Sequence, residues 1–323
     1  MNQLKNQSGE FELIARYFQN WPIFSNGQAQ TIVPNGDDAL VIQSHSPLAI
    51  SVDTIVENVH FLTSSPAHGV GYRALASAFS DLCAMGATPS FFTLALTFNK
   101  NEKWLKAFSE GLKQAAKDFK IDLLGGDTTH CKPAKNNISV ITIQVHGQCE
   151  KPILRSTAKP GDLICVTGNL GDAAAAVALL EKANPNAEEK ALLHAFYYPK
   201  PPIHLIEALA EKANSAIDVS DGLLADLMHI CQKSQLKAKL QTSQIPLSQS
   251  IQKIHEPTQA LKYALTGGDD YQVCFTTDQS NLEWIKQNNI TIIGEMITGD
   301  ADIINENEQS FSQIYSVLGY EHF

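Results

Sequence analysis

Strand-length apolar runs alternate with segments of helical periodicity through the first half of the chain. The alternation breaks once, in the turn-rich stretch RSTAKPGD around Arg155, and then resumes. Before the break, LAISV, FFTLALTF, DLLGG and ISVITIQVHGQC read as strands, and YRALASAFSDLCAMG and WLKAFSEGLKQAAKDF as helices. After it, LICVTG, YQVCFTT and ITIIGEMI read as strands, and DAAAAVALLEKA, PPIHLIEALAEKA and DGLLADLMHICQKS as helices. At 323 residues the chain is near the size at which one core divides. The pattern therefore predicts two α/β units, 1–150 and 151–323, with residues 181–189 a polar surface linker.

The formal net charge of -10 argues against a groove that binds nucleic acid without regard to sequence. An acidic protein that handles phosphates must recruit cations. The opening MNQLKNQSGEFELIARYF has no basic segment followed by an apolar run, and no stretch has the length of a membrane span, so a cytoplasmic protein is expected. The six cysteines have no CxxC spacing, which speaks against a zinc site or a disulfide framework.

Aspartates recur at the expected ends of strands and in glycine turns. Asp37 and Asp38 lie in PNGDDAL, Asp53 in AISVDT, Asp127 in LGGDTT, Asp218 and Asp221 in AIDVSDG, and Asp269 and Asp270 in TGGDDY. Asp81 falls inside a predicted helix. Each alone is ordinarily a turn former or a helix cap. Their repetition suits Mg²⁺, which prefers carboxylates, phosphates and water to thiolate or imidazole. A carboxylate ending an apolar strand also falls at the sheet edge where α/β proteins bind ligands. Gly125 and Gly126, and again Gly267 and Gly268, precede such aspartates, as tight turns or as places where backbone approaches a phosphate. The segment VTGNLGDAAAA reads as a glycine loop opening a helix, able to offer amides to an anion. Neither a P-loop lysine motif nor a protein-kinase catalytic loop is present.

Taken in order, GDDAL, SVDTIVENVHF, SDLCAMGA, LLGGDTT, RSTAKPGD, AIDVSDGLLADL, GGDDYQVCFT and GYEHF resemble the successive signatures of the bacterial thiamine-monophosphate kinase family. The resemblance implies the fold of the aminoimidazole ribonucleotide synthetase superfamily: two α/β (α+β) domains, the N-terminal one binding ATP and metal and pairing its sheet across a homodimer. It implies transfer of the ATP γ-phosphoryl group to thiamine monophosphate. By the same resemblance, Asp38, Asp53, Asp81, Asp127, Asp218 and Asp221, helped by Ser51 and the Val52 backbone, bind Mg²⁺. Gly126, Asp127, Arg155 and Ser220 match nucleotide-contacting positions, and His60, Asp269 and Tyr320 positions that contact the thiamine substrate. The chain departs from the pattern where Asp269 and Gln272 stand in place of glutamates.

The chemistry fits this residue set. A phosphate monoester has a second pKa of about 6, so its attacking oxygen is already largely ionised at neutral pH and needs no general base. What remains is repulsion between two polyanions, which cations and in-line positioning overcome. A superfamily synthetase acting on selenide would usually carry a reactive cysteine near its start, and no Cys precedes Cys83. A silent nucleotide-binding regulator would be marked by loss of the aspartates, and none is lost.

Overall fold

The computed structural model describes residues 10–19, 21–22, 30–33, 39, 41–131 and 138–320. The chain divides into a first unit, 1–78 with 89–148, and a second, 79–88 with 149–323.

The first unit runs α1 (Glu10–Tyr17), β1 (Gln30–Val33), β2 (Val41–Gln43), β3 (Leu48–Val56), α2 (Ala67–Met85), β4 (Thr88–Phe98), α3 (Glu102–Asp118), β5 (Asp122–His130) and β6 (Val140–Gln148). The end of α2 and the first residue of β4 belong to the second unit. A four-stranded sheet has the order β3-β6-β4-β5, which leaves β3 and β5 on its edges. The helix α3 begins at Asn101, whose side chain accepts the Trp104 N–H at 3.0 Å. It buries Leu105, Phe108, Leu112, Ala115 and Ala116, the single stripe that a 3.6-residue period places toward a core. Strand β3 alternates likewise: Ile55 is buried, while Ile50 and Val52 on the other face are 56% and 53% exposed. His146, directly opposite Ile50, stacks on Phe91 with ring centroids 4.2 Å apart.

The second unit continues with β7 (Leu163–Thr167), α4 (Asp172–Ala176), α5 (Ala187–Tyr197), α6 (Ile206–Lys212), β8 (Ala213–Val219), α7 (Leu223–Ser234) and β9 (Lys237–Leu240). It closes with α8 (Gln249–Ile254), α9 (Pro257–Thr266), β10 (Gln272–Thr277), α10 (Leu282–Gln287), β11 (Ile290–Ile297), β12 (Asp302–Ile304) and α11 (Phe311–Ile314). Its sheet is ordered β12-β9-β11-β7-β10-β8, and every neighbouring pair except β12-β9 is antiparallel. The arrangement is α+β, with β8 as an edge strand. Ile217 and Val219 of β8 pack with Leu223, Leu224 and Leu227 of α7 in one buried cluster, so the short turn between β8 and α7 is pinned from both sides.

Two expectations are corrected. Residues 181–189 are not wholly linker, because Asn186 and Glu189 form a reciprocal capping box that starts α5. The helix expected over DAAAAVALLEKA is α-helical only through Ala176 and continues as a single 3₁₀ turn. Among the described residues no helix is long and apolar enough to cross a membrane.

Candidate functional site

The turn after β8 carries Ser220, Asp221 and Gly222, and every backbone group along it is engaged. The carbonyls of Val219, Ser220 and Asp221 accept from the N–H groups of Tyr271 (2.8 Å), Asp269 (2.8 Å) and Tyr320 (2.9 Å). The N–H groups of Ser220, Asp221 and Gly222 all donate to one oxygen, Oδ2 of Asp226, at 3.0, 3.1 and 3.1 Å. Asp226 is 3% exposed. Burial first, and then the nearby Asp221 charge, push its carboxyl up to about 7 against the pull of the three amides. Three stretches distant in sequence thus meet at one turn, bringing Ser220, Asp221, Asp269 and Tyr320 together.

Asp218, the penultimate residue of β8, is buried and accepts from Ser80 Oγ at 2.7 Å. Asp81 follows Ser80 on α2. Burial, then Asp218 and Asp81, raise the Cys83 thiol pKa well above its usual value, which places both carboxylates near that sulfur. Residues 79–88 belong to the second unit, so Asp81 and Asp218 share it with Asp221.

The GGDDY turn is tight. A Cβ on Gly268 would lie 2.3 Å from the Ser220 carbonyl oxygen, so only glycine lets the two turns approach. Asp269 has φ of +72° and Tyr271 of +52°, and the Tyr271 hydroxyl donates to Asp269 Oδ1 at 2.9 Å. Asp270 is buried, and its Oδ2 accepts the Gly171 N–H at 2.8 Å. The glycine loop opening α4 therefore gives an amide to the chain's own Asp270 carboxyl, whose pKa burial raises well above the ordinary value. Tyr320 is 52% exposed beside this cluster. Arg155 is exposed, and its carbonyl accepts from Ser234 Oγ at 2.9 Å and from Ser215 Oγ at 3.5 Å. Its backbone is thus anchored near the start of β8, about 10 Å along the strand from Asp218.

In the first unit, Asp53 and Asp127 do not end strands. Asp53 lies inside β3, paired opposite Ile143, with Ser51 two residues back on the same face and Val52 on the other. Asp127 lies inside β5 beside Ala95 of β4 and accepts from Thr129 Oγ1 at 3.3 Å. A polar side chain on either face does not stop the backbone from pairing, which is why the strands run through both. Gly125 and Gly126 are likewise strand residues and not a turn; at Gly126, φ is +151° and a Cβ would sit 1.9 Å from the Leu94 carbonyl oxygen. Asp53 and Asp127 occupy opposite edge strands, three strand spacings or about 14 Å apart along a flat sheet. His60 follows β3, and its Nδ1 accepts the Val56 N–H at 3.0 Å, so the neutral ring carries its proton on Nε2. Asp38 lies outside the described residues.

Among the described residues no three His, Cys, Asp or Glu side chains gather at metal-binding distance. The donor chemistry nonetheless fits Mg²⁺: Asp81, Asp218 and Asp221 of the second unit and Ser51, Asp53 and Asp127 of the first offer only hard oxygens. Asp226, Tyr271 and Ser80 were not singled out from sequence, and Asp270, named there among the recurring aspartates, bonds a backbone amide of its own chain. The signal for Asp226 was an aspartate four residues beyond the glycine that opens a helix.

Comparison with known proteins identifies the family of the chain. Residues 36–149 match AIR synthase related protein, N-terminal domain, and residues 159–305 its C-terminal domain. The chain is 42% identical to the thiamine-monophosphate kinase of Haemophilus influenzae over 274 residues, 83% of this chain and 81% of that one. It superposes on the crystal structure of thiamine-monophosphate kinase from Stenotrophomonas maltophilia K279a with a TM-score of 0.79 at 32% identity, covering 88% of this chain and 92% of that one. It matches AaThiL complexed with AMPPCP and TMP with a TM-score of 0.79 at 26% identity, covering 97% and 96%. A chain with this fold, these motifs in this order and relatives of this similarity belongs to the thiamine-monophosphate kinase family.

Proposed function

We infer that the chain transfers the γ-phosphoryl group of ATP to the phosphate of thiamine monophosphate, giving thiamine diphosphate and ADP. The observation that carries this reading is the turn of Ser220 and Asp221, hydrogen-bonded to Asp269 on one side and Tyr320 on the other, in a chain of this family. Because three carbonyls and three amides of that turn are already engaged within the protein, the Ser220 hydroxyl and the Asp221 carboxylate are the groups it presents to ligands. The AaThiL relative is complexed with AMPPCP and TMP, which supports two phosphate ligands here as well.

The acceptor phosphate needs no base, so the residues orient groups and balance charge. Ser220, Gly126, Asp127 and Arg155 contact the nucleotide in this reading, the Arg155 guanidinium as a planar phosphate donor. His60 donates from Nε2 to a phosphate oxygen, the tautomer that its Nδ1 bond to Val56 selects. Tyr320 lays its exposed ring against the thiazolium, an attraction of about 0.5–2 kcal/mol. Asp38, Ser51, Val52, Asp53, Asp81, Asp127, Asp218 and Asp221 hold Mg²⁺, which when bound neutralises charge on the phosphates.

The exposed Ile50 and Val52 on an edge strand support a homodimer through the first-unit sheet. We place the domain division at 1–150 and 151–323, apart from residues 79–88, which fold with the second unit, and the protein in the cytoplasm; fractionation of cells would find it elsewhere if that is wrong. The activity is tested by following ADP with ATP, Mg²⁺ and either thiamine monophosphate or free thiamine. Turnover of the monophosphate alone is expected, and efficient turnover of free thiamine, which needs an alcohol deprotonated, would overturn the mechanism.

A further inference from the structure

One oxygen of Asp226 receives three successive amides, and the turn that supplies them holds the amides of Tyr271, Asp269 and Tyr320 on its other edge. We propose that Asp226 is a positioning residue for phosphoryl transfer: by gathering the amides of Ser220, Asp221 and Gly222 it fixes where the Ser220 and Asp221 side chains point and where Asp269 and Tyr320 dock. The proposal rests on the phosphoryl-transfer reading above.

The argument is geometric. Three consecutive N–H groups converge on a single acceptor only when the backbone curls around it, and such a concavity has few alternative shapes. The carbonyls of the same curl then point outward, where Asp269, Tyr271 and Tyr320 meet them. Without the acceptor, three donors, one buried and two partly buried, lose their partner and the curl opens. The displaced groups include side chains assigned to the nucleotide and metal as well as segments assigned to thiamine monophosphate, so both substrates feel the change. A cap serving only α7 would affect stability and leave kinetics alone.

The test uses the full chain with Asp226→Ser, whose shorter side chain withdraws the acceptor, and Asp226→Asn, which keeps an acceptor oxygen without the charge. Amide exchange at Ser220, Asp221 and Gly222 is read on the unliganded protein, and kcat and both KM values on the same preparations. The Ser variant is expected to exchange faster at these three amides and to lose kcat/KM by about tenfold to hundredfold toward both ATP and thiamine monophosphate. The Asn variant is expected to keep the protection and stay within a few-fold of the parent. Asp162→Ala serves as a control: that buried carboxylate accepts from Lys159, Asn214 and Thr276 elsewhere in the second unit, and its loss should lower the melting temperature without changing the kinetics of the folded protein. A folded Ser variant with parental kcat/KM, or with unaltered exchange, overturns the proposal. So does an Asn variant that keeps its protection but loses activity, and this arm alone decides if the Ser variant does not fold. A parent protein inactive toward thiamine monophosphate would instead sink the reading beneath it, while the exchange result would still report on the turn.

Discussion

The hydroxyl of Tyr271 donates to Oδ1 of Asp269 at 2.9 Å, and both residues hold positive φ angles. Aspartate and asparagine tolerate this backbone region better than other residues that bear a Cβ. Asp269→Asn therefore removes the charge while keeping the turn. If the carboxylate faces the thiamine end of the site, KM for thiamine monophosphate should rise by about tenfold, the worth of one hydrogen bond to a charged group. The KM for ATP and the melting temperature should stay put. An unchanged KM for thiamine monophosphate would leave Asp269 as a turn residue held by Tyr271.

Asp127 is exposed on its strand and accepts from Thr129 Oγ1 at 3.3 Å, so its loss should cost the fold little. Asp127→Asn should nevertheless lower kcat at least hundredfold, about 3 kcal/mol in the barrier, if the carboxylate holds Mg²⁺ beside the phosphates. Initial rates over a range of Mg²⁺ concentrations check this. A near-parental rate at saturating Mg²⁺ would remove Asp127 from the metal site.

Ile50 faces outward on edge strand β3, opposite His146. Ile50→Glu should turn a dimer into a monomer in sedimentation without unfolding it, because the side chain leaves no cavity in the first-unit core. A parent protein that already sediments as a monomer, or a variant that stays dimeric, would move the interface away from this face.

Glu57 is buried at the end of β3. It accepts the Ser139 N–H at 2.8 Å and pairs with Lys100. Burial alone would raise its pKa, but the bonds from Lys100, Ser139 and Thr63 outweigh it and leave the carboxyl below its ordinary 4.5. A lowered folded pKa means that the ionised form is favoured by folding. Its stabilisation is present above the unfolded pKa and is lost as pH falls through the folded value. Glu57→Gln should lower stability at neutral pH by about 1–3 kcal/mol, with a smaller deficit in acid. Melting curves from pH 7 to pH 3 check the convergence, and a deficit that stays constant over that range would show that the charge is not what matters.

The long strands were legible because apolar residues fill β4 and β7 and alternate along β3 and β6. β9 and β12 are four and three residues long, and KAKL carries lysines on its half-buried positions, so no periodicity emerges from so short a run. The aspartates were legible as a set, but their place along strands was not, since a mid-strand Asp and a strand-ending Asp look alike without the partner strand. Asp226 escaped notice, and Asp270 was seen only as one more aspartate of the set, because their partners are backbone amides, which the sequence does not display. Gln272 illustrates the same limit. Its amide donates to the Lys200 carbonyl at 3.2 Å while its oxygen accepts from Thr167 at 3.0 Å, a pairing that a glutamate could not complete.

Because residues 79–88 fold with the second unit, that unit is interrupted by residues 89–148 of the first. Ser80 and its partner Asp218 stand 138 positions apart. During synthesis the end of α2 leaves the ribosome well before the strand that will receive it, and the turn at Ser220 waits longer still for Tyr320. Contacts of such sequence separation close late and slowly. The last stretch of α2 therefore waits for its β8 partner while the 138 positions up to Asp218 are made. No single cut of the chain frees the second unit whole, since a fragment of residues 149–323 has neither Ser80 nor Asp81 beside Asp218.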